Sequence, residues 1–262
     1  MRHFRELAPG VLVATADFAM TNSVAVVADR DCVLVDPGVS PGEIAGLAAD
    51  LASAGLRVRA GFATHPHWDH VLWSRELGDV PRYAAPAAVR VAEAERDGLL
   101  GELQEWAPGH DLDLVGRLTP LPGDADQMPW DGPAAQVLVH NGHAPGHAAV
   151  FLPESGVLVA GDMLSDTEIP LLDTAGRDPL GDYRAGLIRL SGVSRVRWLV
   201  PGHGHVTDAP GFRRRAEADA RYLDLLEAGL PFDDPRCTQD WLRAAHEDQF
   251  RLVLGARRAE GS

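Results

Sequence analysis

"THPHWDH", residues 64–70, puts three histidines and an aspartate within six positions. It follows a strand-like apolar run, Arg59 to Ala63. His65 and His67 are two apart, so in extended chain their rings leave the same side. Asp69 and His70 come after the chain has turned and can face a second position. The segment therefore reads as half of two neighbouring sites, with the other halves elsewhere in the chain.

The same device recurs further on. "HNGHAPGH" (140–147), "AGDM" (160–163) and "VPGHGH" (200–205) each follow or adjoin an apolar strand-like run. Ends of strands are rigid and the loops beyond them open to solvent, so ligands distant in sequence can converge there. Imidazole and carboxylate suit Zn²⁺ and other divalent first-row ions. Two adjacent cations need a shared anion to offset their repulsion, and Asp162, alone after its strand, suits that place. His110, His140, His143, His205 and His246 read as satisfied surface or core residues. Asp36, in "DPG", reads as a turn or loop-ordering residue.

Around these motifs the chain alternates strands and helices. Val11 to Ala16, Ser23 to Ala28 and Cys32 to Asp36 read as strands. Pro41 opens a helix to Ala54 with Ile44, Leu47, Ala48 and Leu51 on one face. The pattern predicts one long helix over 86–106. A loop-rich tract over about 107–133, with Trp130 in it, is long enough to suggest that it shapes a site. Strands are expected at 135–139, 148–152, 156–160 and 197–200. Helices are expected at 182–191, 210–228 and 238–256. This order indicates an α/β layered protein. One domain over residues 1–262 is expected, with a core over about 10–206 and a helical extension over about 207–262.

The chain of 262 residues carries a net charge of −14, and all its basic side chains are arginine. That balance argues against nucleic acid as the main partner, since phosphate binding needs a basic surface. Arg213, Arg214 and Arg215 read as a solvated helix face. No stretch approaches the ~18 apolar residues of a membrane span. Two cysteines, Cys32 and Cys237, and an N-terminal segment without an apolar core after its charges fit a cytoplasmic protein.

The set H-x-H-x-D-H, then G-H, G-D and P-G-H, resembles the metallo-β-lactamase-fold superfamily over roughly residues 10–206. The resemblance implies a four-layer αβ/βα sandwich, with two mixed sheets inside and helices outside, here with C-terminal helices added. Carried over by motif, His65, His67 and His147 resemble first-metal ligands. Asp69, His70 and His203 resemble second-metal ligands, and Asp162 the carboxylate bridging them. "APGHA" stands for the common T-P-G-H-T. An Asp rather than Cys at 162 points to the glyoxalase-II and lactonase branch.

The expected cofactors are two divalent ions, Zn with Mn or Fe as alternatives. The expected activity is hydrolysis of an ester-like carbonyl in a lactone, thioester or carboxylic ester. Asp69 would orient the attacking hydroxide, and Tyr183 would reach the substrate oxygen. The competing expectation is a mononuclear iron oxygenase acting on a thiol or persulfide through His65, His147 and Asp162. Trp68, Trp73, Met163, Ile169 and Leu171 are candidates for an apolar wall, or for ordinary core. The partner is expected to be a small molecule, and a homodimer is compatible with the chain.

Overall fold

In the computed structural model, residues 3–123 and 125–260 are described. The first sheet opens as an antiparallel meander of β1 (Arg5–Ala8), β2 (Val11–Thr15), β3 (Asn22–Ala28) and β4 (Asp31–Val35). After α1 (Pro41–Ser53) it becomes parallel, adding β5 (Arg57–Phe62), β6 (Arg82–Ala84) and, after α2 (Pro86–Ala94) and α3 (Arg96–Trp106), β7 (Thr119–Pro120). The second sheet runs β12-β11-β10-β9-β8, built from β8 (Gln136–His140), β9 (His147–Leu152), β10 (Val157–Val159), β11 (Trp198–Val200) and β12 (Thr207–Asp208). Only β10 and β11 are parallel in it. The helices α4 (Pro179–Ser191), α5 (Ala209–Ala228) and α6 (Asp240–Glu260) complete the chain.

Strand alternation builds the layers. Val33 and Val35 of β4 point into a core shared with Val137, Val150, Val157 and Val200 of the other sheet. Their neighbours Cys32 and Leu34 point the opposite way, onto Ile44 and Leu51 of α1 and Ala88 and Leu103 of α2 and α3. Ala149, Phe151 and Leu158 likewise face Leu187 of α4, Leu223 of α5 and Leu242 of α6. Helix, sheet, sheet and helix are thus held by three apolar seams, the four-layer sandwich expected.

Two expectations change. The helix over 86–106 is broken at Glu95 (φ −104°, ψ 17°) into α2 and α3. Arg96 just past the break bonds the carbonyls of Leu112 and Val115, which redirects α3 so that Leu99 and Leu103 reach the same seam as Ala88. The short strands β1, β6, β7 and β12 were not foreseen; none is long enough to show an alternation.

The topology sends the motifs to one edge. β4 and β5 are parallel, so Asp36 and the segment 64–70 leave the same end of the first sheet. β10 and β11 are parallel, so Asp162 and His203 leave one end of the second. The hairpin from β8 to β9 brings residues 141–146 to that edge too.

Candidate metal centre

The chain after β4 turns through Asp36 in a left-handed conformation (φ 48°). Its carboxylate is almost fully used. Oδ1 accepts from the Thr64 amide at 2.9 Å, and Oδ2 accepts from the Thr64 hydroxyl at 2.7 Å and His70 Nδ1 at 2.9 Å. The Thr64 hydroxyl, having given its proton to Asp36, can only accept from His65 Nδ1, 3.0 Å away. One buried aspartate therefore sets the orientation of both His65 and His70.

The same logic fixes two further rings. His143 Nδ1 faces the Leu171 carbonyl at 3.0 Å, and His203 Nδ1 faces the Ala19 carbonyl at 3.0 Å. A carbonyl only accepts, so each Nδ1 carries the proton. In all four rings, His65, His70, His143 and His203, the outer nitrogen is tied down as a donor and Nε2 points inward. Outer-nitrogen anchoring of this kind is how proteins orient metal-ligating histidines.

The inner atoms meet in two groups, His65, His67, His143 and Asp162, and Asp69, His70 and His203. His67 Nδ1 lies 3.1 Å from His65 Nε2 and 3.0 Å from His143 Nε2. Three nitrogens meet there with at most one proton between them. His70 Nε2 and His203 Nε2 are 3.3 Å apart. Asp162 spans the groups, with Oδ2 3.4 Å from His65 and 3.3 Å from His203, and Oδ1 3.2 Å from His70. Asp69 Oδ2 lies 3.2 Å from His203 Nε2. Asp162 Oδ1 is buried with no hydrogen-bond partner. Converging lone pairs and an orphaned carboxylate oxygen are costly together unless a cation sits among them. The donor set fits divalent metal ions.

The electrostatics agree. Burial holds His65 well below its ordinary range and takes His143 down to about 3, so both stay neutral. For His70 and His203 burial is outweighed, by Asp162 first, with Asp69 adding to it, and both are raised well above the usual value. Asp162 lies well below the carboxylate range because His203, His70 and His65 outweigh its burial. The second group thus calls for positive charge, as proton or as metal.

One assignment is corrected by this geometry. The ring that joins His65, His67 and Asp162 is that of His143, not the expected His147. His147 is buried behind the group. Its Nε2 accepts the Asp162 amide at 3.1 Å, and its Nδ1 faces His140 Nε2 at 3.2 Å. Both nitrogens are committed, so the ring positions the Asp162 backbone instead. His143 reaches inward because its backbone is left-handed (φ 75°), a conformation that costs about 1–3 kcal/mol in a non-glycine residue.

His65, His67, Asp69, His70, Asp162 and His203 converge. His205 does not: it pairs with Asp166 at the surface. His110 meets the Val39 carbonyl, and His246 lies 3.0 Å from the Tyr222 hydroxyl in an aromatic cluster. Tyr183 is fully buried in the apolar seam beneath α4, where burial raises its phenol well above the usual value. It belongs to neither group. Trp73, Met163 and Ile169 are core, whereas Trp68 is half-buried and meets Phe18 edge-on at 5.7 Å. No described residue of the tract 107–133 enters either group.

Several supporting residues carry no motif of their own. Asn22 Nδ2 donates to the Pro201 and Gly204 carbonyls on either side of His203. Ser165 Oγ donates to the His203 carbonyl. At Gly202 a Cβ would stand 1.9 Å from Asp162 Oδ1, so only glycine allows the approach. Glu43 closes a capping box on Ser40 and also accepts the Asp17 amide, which ties the loop after β2, where His203 rests on Ala19, to α1.

The Metallo-beta-lactamase superfamily model matches residues 16–230. The chain belongs to this superfamily. Among curated relatives, proteins named as hydrolases recur. The Probable metallo-hydrolase YflN of Bacillus subtilis (strain 168) is 29% identical over 52% of this chain and 56% of its own. A hydroxyacylglutathione hydrolase of Synechococcus sp. (strain JA-2-3B'a(2-13)) is 33% identical over 50% of this chain and 43% of its own. These matches span about half the length of those relatives. Among solved structures, the metallo-β-lactamase family protein TTHA1429 of Thermus thermophilus superposes with a TM-score of 0.72 at 25% identity, covering 98% of this chain and 95% of that one. The metallo-β-lactamase FIM-1 of Pseudomonas aeruginosa, in its mono-zinc form, gives 0.63 at 17% identity over 85% and 96%. The chain thus joins membership of this superfamily to two His/Asp groups that could hold metal ions.

Proposed function

We propose that this chain is a metallo-hydrolase that cleaves an ester-like carbonyl, in a lactone, thioester or carboxylic ester, with two zinc-type cations. The observation that carries the reading is the inward aim of four anchored Nε2 atoms around an unpaired Asp162 oxygen. His65, His67 and His143 would hold one cation, and Asp69, His70 and His203 the other, with Asp162 between. Bound there, such cations supply a water ionised near neutral pH and a Lewis acid for the carbonyl.

The chain's own groups do the rest. Asp162 reaches both groups, with Oδ2 between His65 and His203 and Oδ1 toward His70, and the His147 ring holds its backbone there. Asp69 has Oδ2 on His203 and is the carboxylate placed to accept a hydrogen bond from an attacking water and so orient it. Thr64 and Asp36 keep His65 and His70 from rotating, so no reorganisation is needed as charge develops. Trp68, between two of these side chains in the segment 64–70, is braced edge-on by Phe18. Tyr183 is no part of this scheme.

The finer readings follow the chemistry. A small-molecule substrate fits a site sunk at a sheet edge. Free Cys32 and Cys237 fit a reducing compartment, and no described helix is long and apolar enough to cross a membrane. The test is to strip the protein with EDTA, refill it with Zn²⁺ or Mn²⁺, count bound metal and screen esters, thioesters and lactones. Two ions per chain with metal-dependent turnover supports the reading. One iron with oxygen consumption on a thiol or persulfide overturns it, and so does a fully loaded protein inert on the whole panel.

A further inference from the structure

Leu171 and Leu172 share one peptide group, and two side chains claim its two ends. Its carbonyl, that of Leu171, accepts from His143 Nδ1 at 3.0 Å. Its N–H, that of Leu172, donates to Gln249 Oε1 of α6 at 2.5 Å. The peptide is trans, so it is planar with carbonyl and N–H on opposite sides. Fixing the N–H therefore fixes the direction of the carbonyl. Residues 171–173 lie in no helix or strand, so no ladder of backbone bonds holds this plane. It is held between His143 on one side and Gln249 on the other.

Gln249 is itself clamped. A backbone N–H only donates, so the atom facing Leu172 is the side-chain oxygen. The side-chain nitrogen is then left to donate to the Tyr222 hydroxyl at 2.9 Å. That hydroxyl, accepting from Gln249, keeps its own proton for His246 Nδ1 at 3.0 Å. Gln249 is only 2% exposed, and Leu242 and Val253 of the same helix sit in the apolar seam with Tyr222. A buried polar side chain in such a seam costs more to desolvate than an apolar one of equal bulk, and what it adds is a fixed direction for its partners. No motif marks it: Gln249 lies beyond residue 230, where the match to the superfamily model ends.

We infer that Gln249 is a positioning residue for the first ligand group: through the Leu171–Leu172 peptide it keeps His143 Nε2 aimed inward, and so sets that group's affinity for its metal. This rests on the proposed reading of the group as a metal site. His143 needs such support because its backbone is left-handed (φ 75°), a conformation that persists only where the surroundings enforce it. In the second group His70 is oriented by Asp36 and His203 by the Ala19 carbonyl. That group takes its geometry from the other end of the chain and should not respond to Gln249.

The experiment removes the acceptor and keeps the bulk. When zinc-loaded protein is titrated with a competing chelator, the step that His143→Asn abolishes marks the first group. Gln249→Met should weaken that step by about tenfold, the lower end of the range for residues that orient a ligand, and leave the other step unchanged. Gln249→Glu still offers an oxygen to the Leu172 amide and should stay within about threefold of the parent. Val253→Ala, which thins the packing of the same helix, should lower the urea midpoint without weakening the step. Parental affinity in Gln249→Met, equal losses in Gln249→Met and Gln249→Glu, or an equal loss in Val253→Ala overturns the inference. Metal-free protein gives a second reading. Ring-nitrogen NMR of isotope-labelled histidine should show His143 as a single Nδ1–H form in the parent and as a mixture of both forms in Gln249→Met. A single form that persists in the variant overturns the inference as well. A parent protein that binds no metal sinks the metallo-hydrolase reading, while the ring spectra still decide whether Gln249 orients His143.

Discussion

Two buried polar assemblies meet at Leu164, and they are built on opposite principles. One is the ligand cluster. The other is Asp219, Arg236 and Asp234, which fasten α5 and the connection to α6 onto the same loop. Arg236 bonds both aspartates and the Ser165 carbonyl, and Asp219 Oδ2 accepts the Leu164 amide at 3.3 Å. In this second assembly donors meet acceptors. Burial raises Asp219 to about 6 while Arg236 pulls it back, and the pair needs nothing further. In the ligand cluster, lone pairs face lone pairs and an Asp162 oxygen stays unmatched. A closed network holds the fold, whereas an open one is waiting for a cation. The closed network also steadies Leu164, left-handed at φ 63°, two residues after Asp162.

The contrast can be broken at its strongest point first. Asp162→Asn should lower turnover by about a thousandfold or more, since it removes the anion between both groups. Metal per chain should fall with it, as read by atomic emission. The metal-free variant should also lose stability in urea, because Asp162 is the anion that holds His70 and His203 raised. An unchanged metal count would remove Asp162 from the open cluster.

Arg236→Met asks the converse question. Leaving Asp219 buried without its partner should cost about 3–5 kcal/mol in urea unfolding. The metal count of the folded protein should stay at the parental value. An unchanged midpoint would remove the distinction drawn between the assemblies.

The two histidines of "GHAPGH" should then separate by degree. His143→Asn should empty the first group. His147→Asn should weaken metal binding by about 10–100-fold, the range for residues that orient a ligand. Chelator competition measures both. Equal losses would return His147 to the ligand set.

A smaller effect belongs to His140, which stacks on His147. Burial first, then Arg189, takes His140 down to about 4 from the ordinary value of 6.5. Between those values the unfolded chain binds the extra proton and the folded chain does not, so stability rises with pH there. Metal-free protein should therefore lose stability as the pH falls from 6.5 toward 4. His140→Asn should flatten that slope by roughly 2 kcal/mol, seen in urea midpoints at a series of pH values. The smallest effect is expected at Tyr183. Tyr183→Phe should leave kcat within about twofold; a tenfold loss would place its hydroxyl at the substrate after all.

Much of this was legible in residue order. The alternation in Cys32 to Val35 encodes which side chains face α1 and which face the other sheet. The i, i+2 spacing of His65 and His67, and the isolated Asp162 and His203 after apolar strands, declare ligands because such groups are expensive to bury without partners. The bend at Glu95 was hidden, since helix periodicity runs through it and its cause is a pair of carbonyls at 112 and 115. Thr64, Asn22 and Ser165 were hidden for the same reason: a hydroxyl or amide acquires its role from a partner 28 to 182 residues away.

By itself, then, the amino-acid order determined the layers, the edge where ligands gather and the kind of ion they suit. These follow from periodicity and from the chemistry of side chains, which are local properties. Only the tertiary structure decided between His143 and His147. Both follow a glycine and both lie at the same hairpin. The choice was made by backbone geometry at His143 and by the Asp162 amide, which claims His147 Nε2 from another strand.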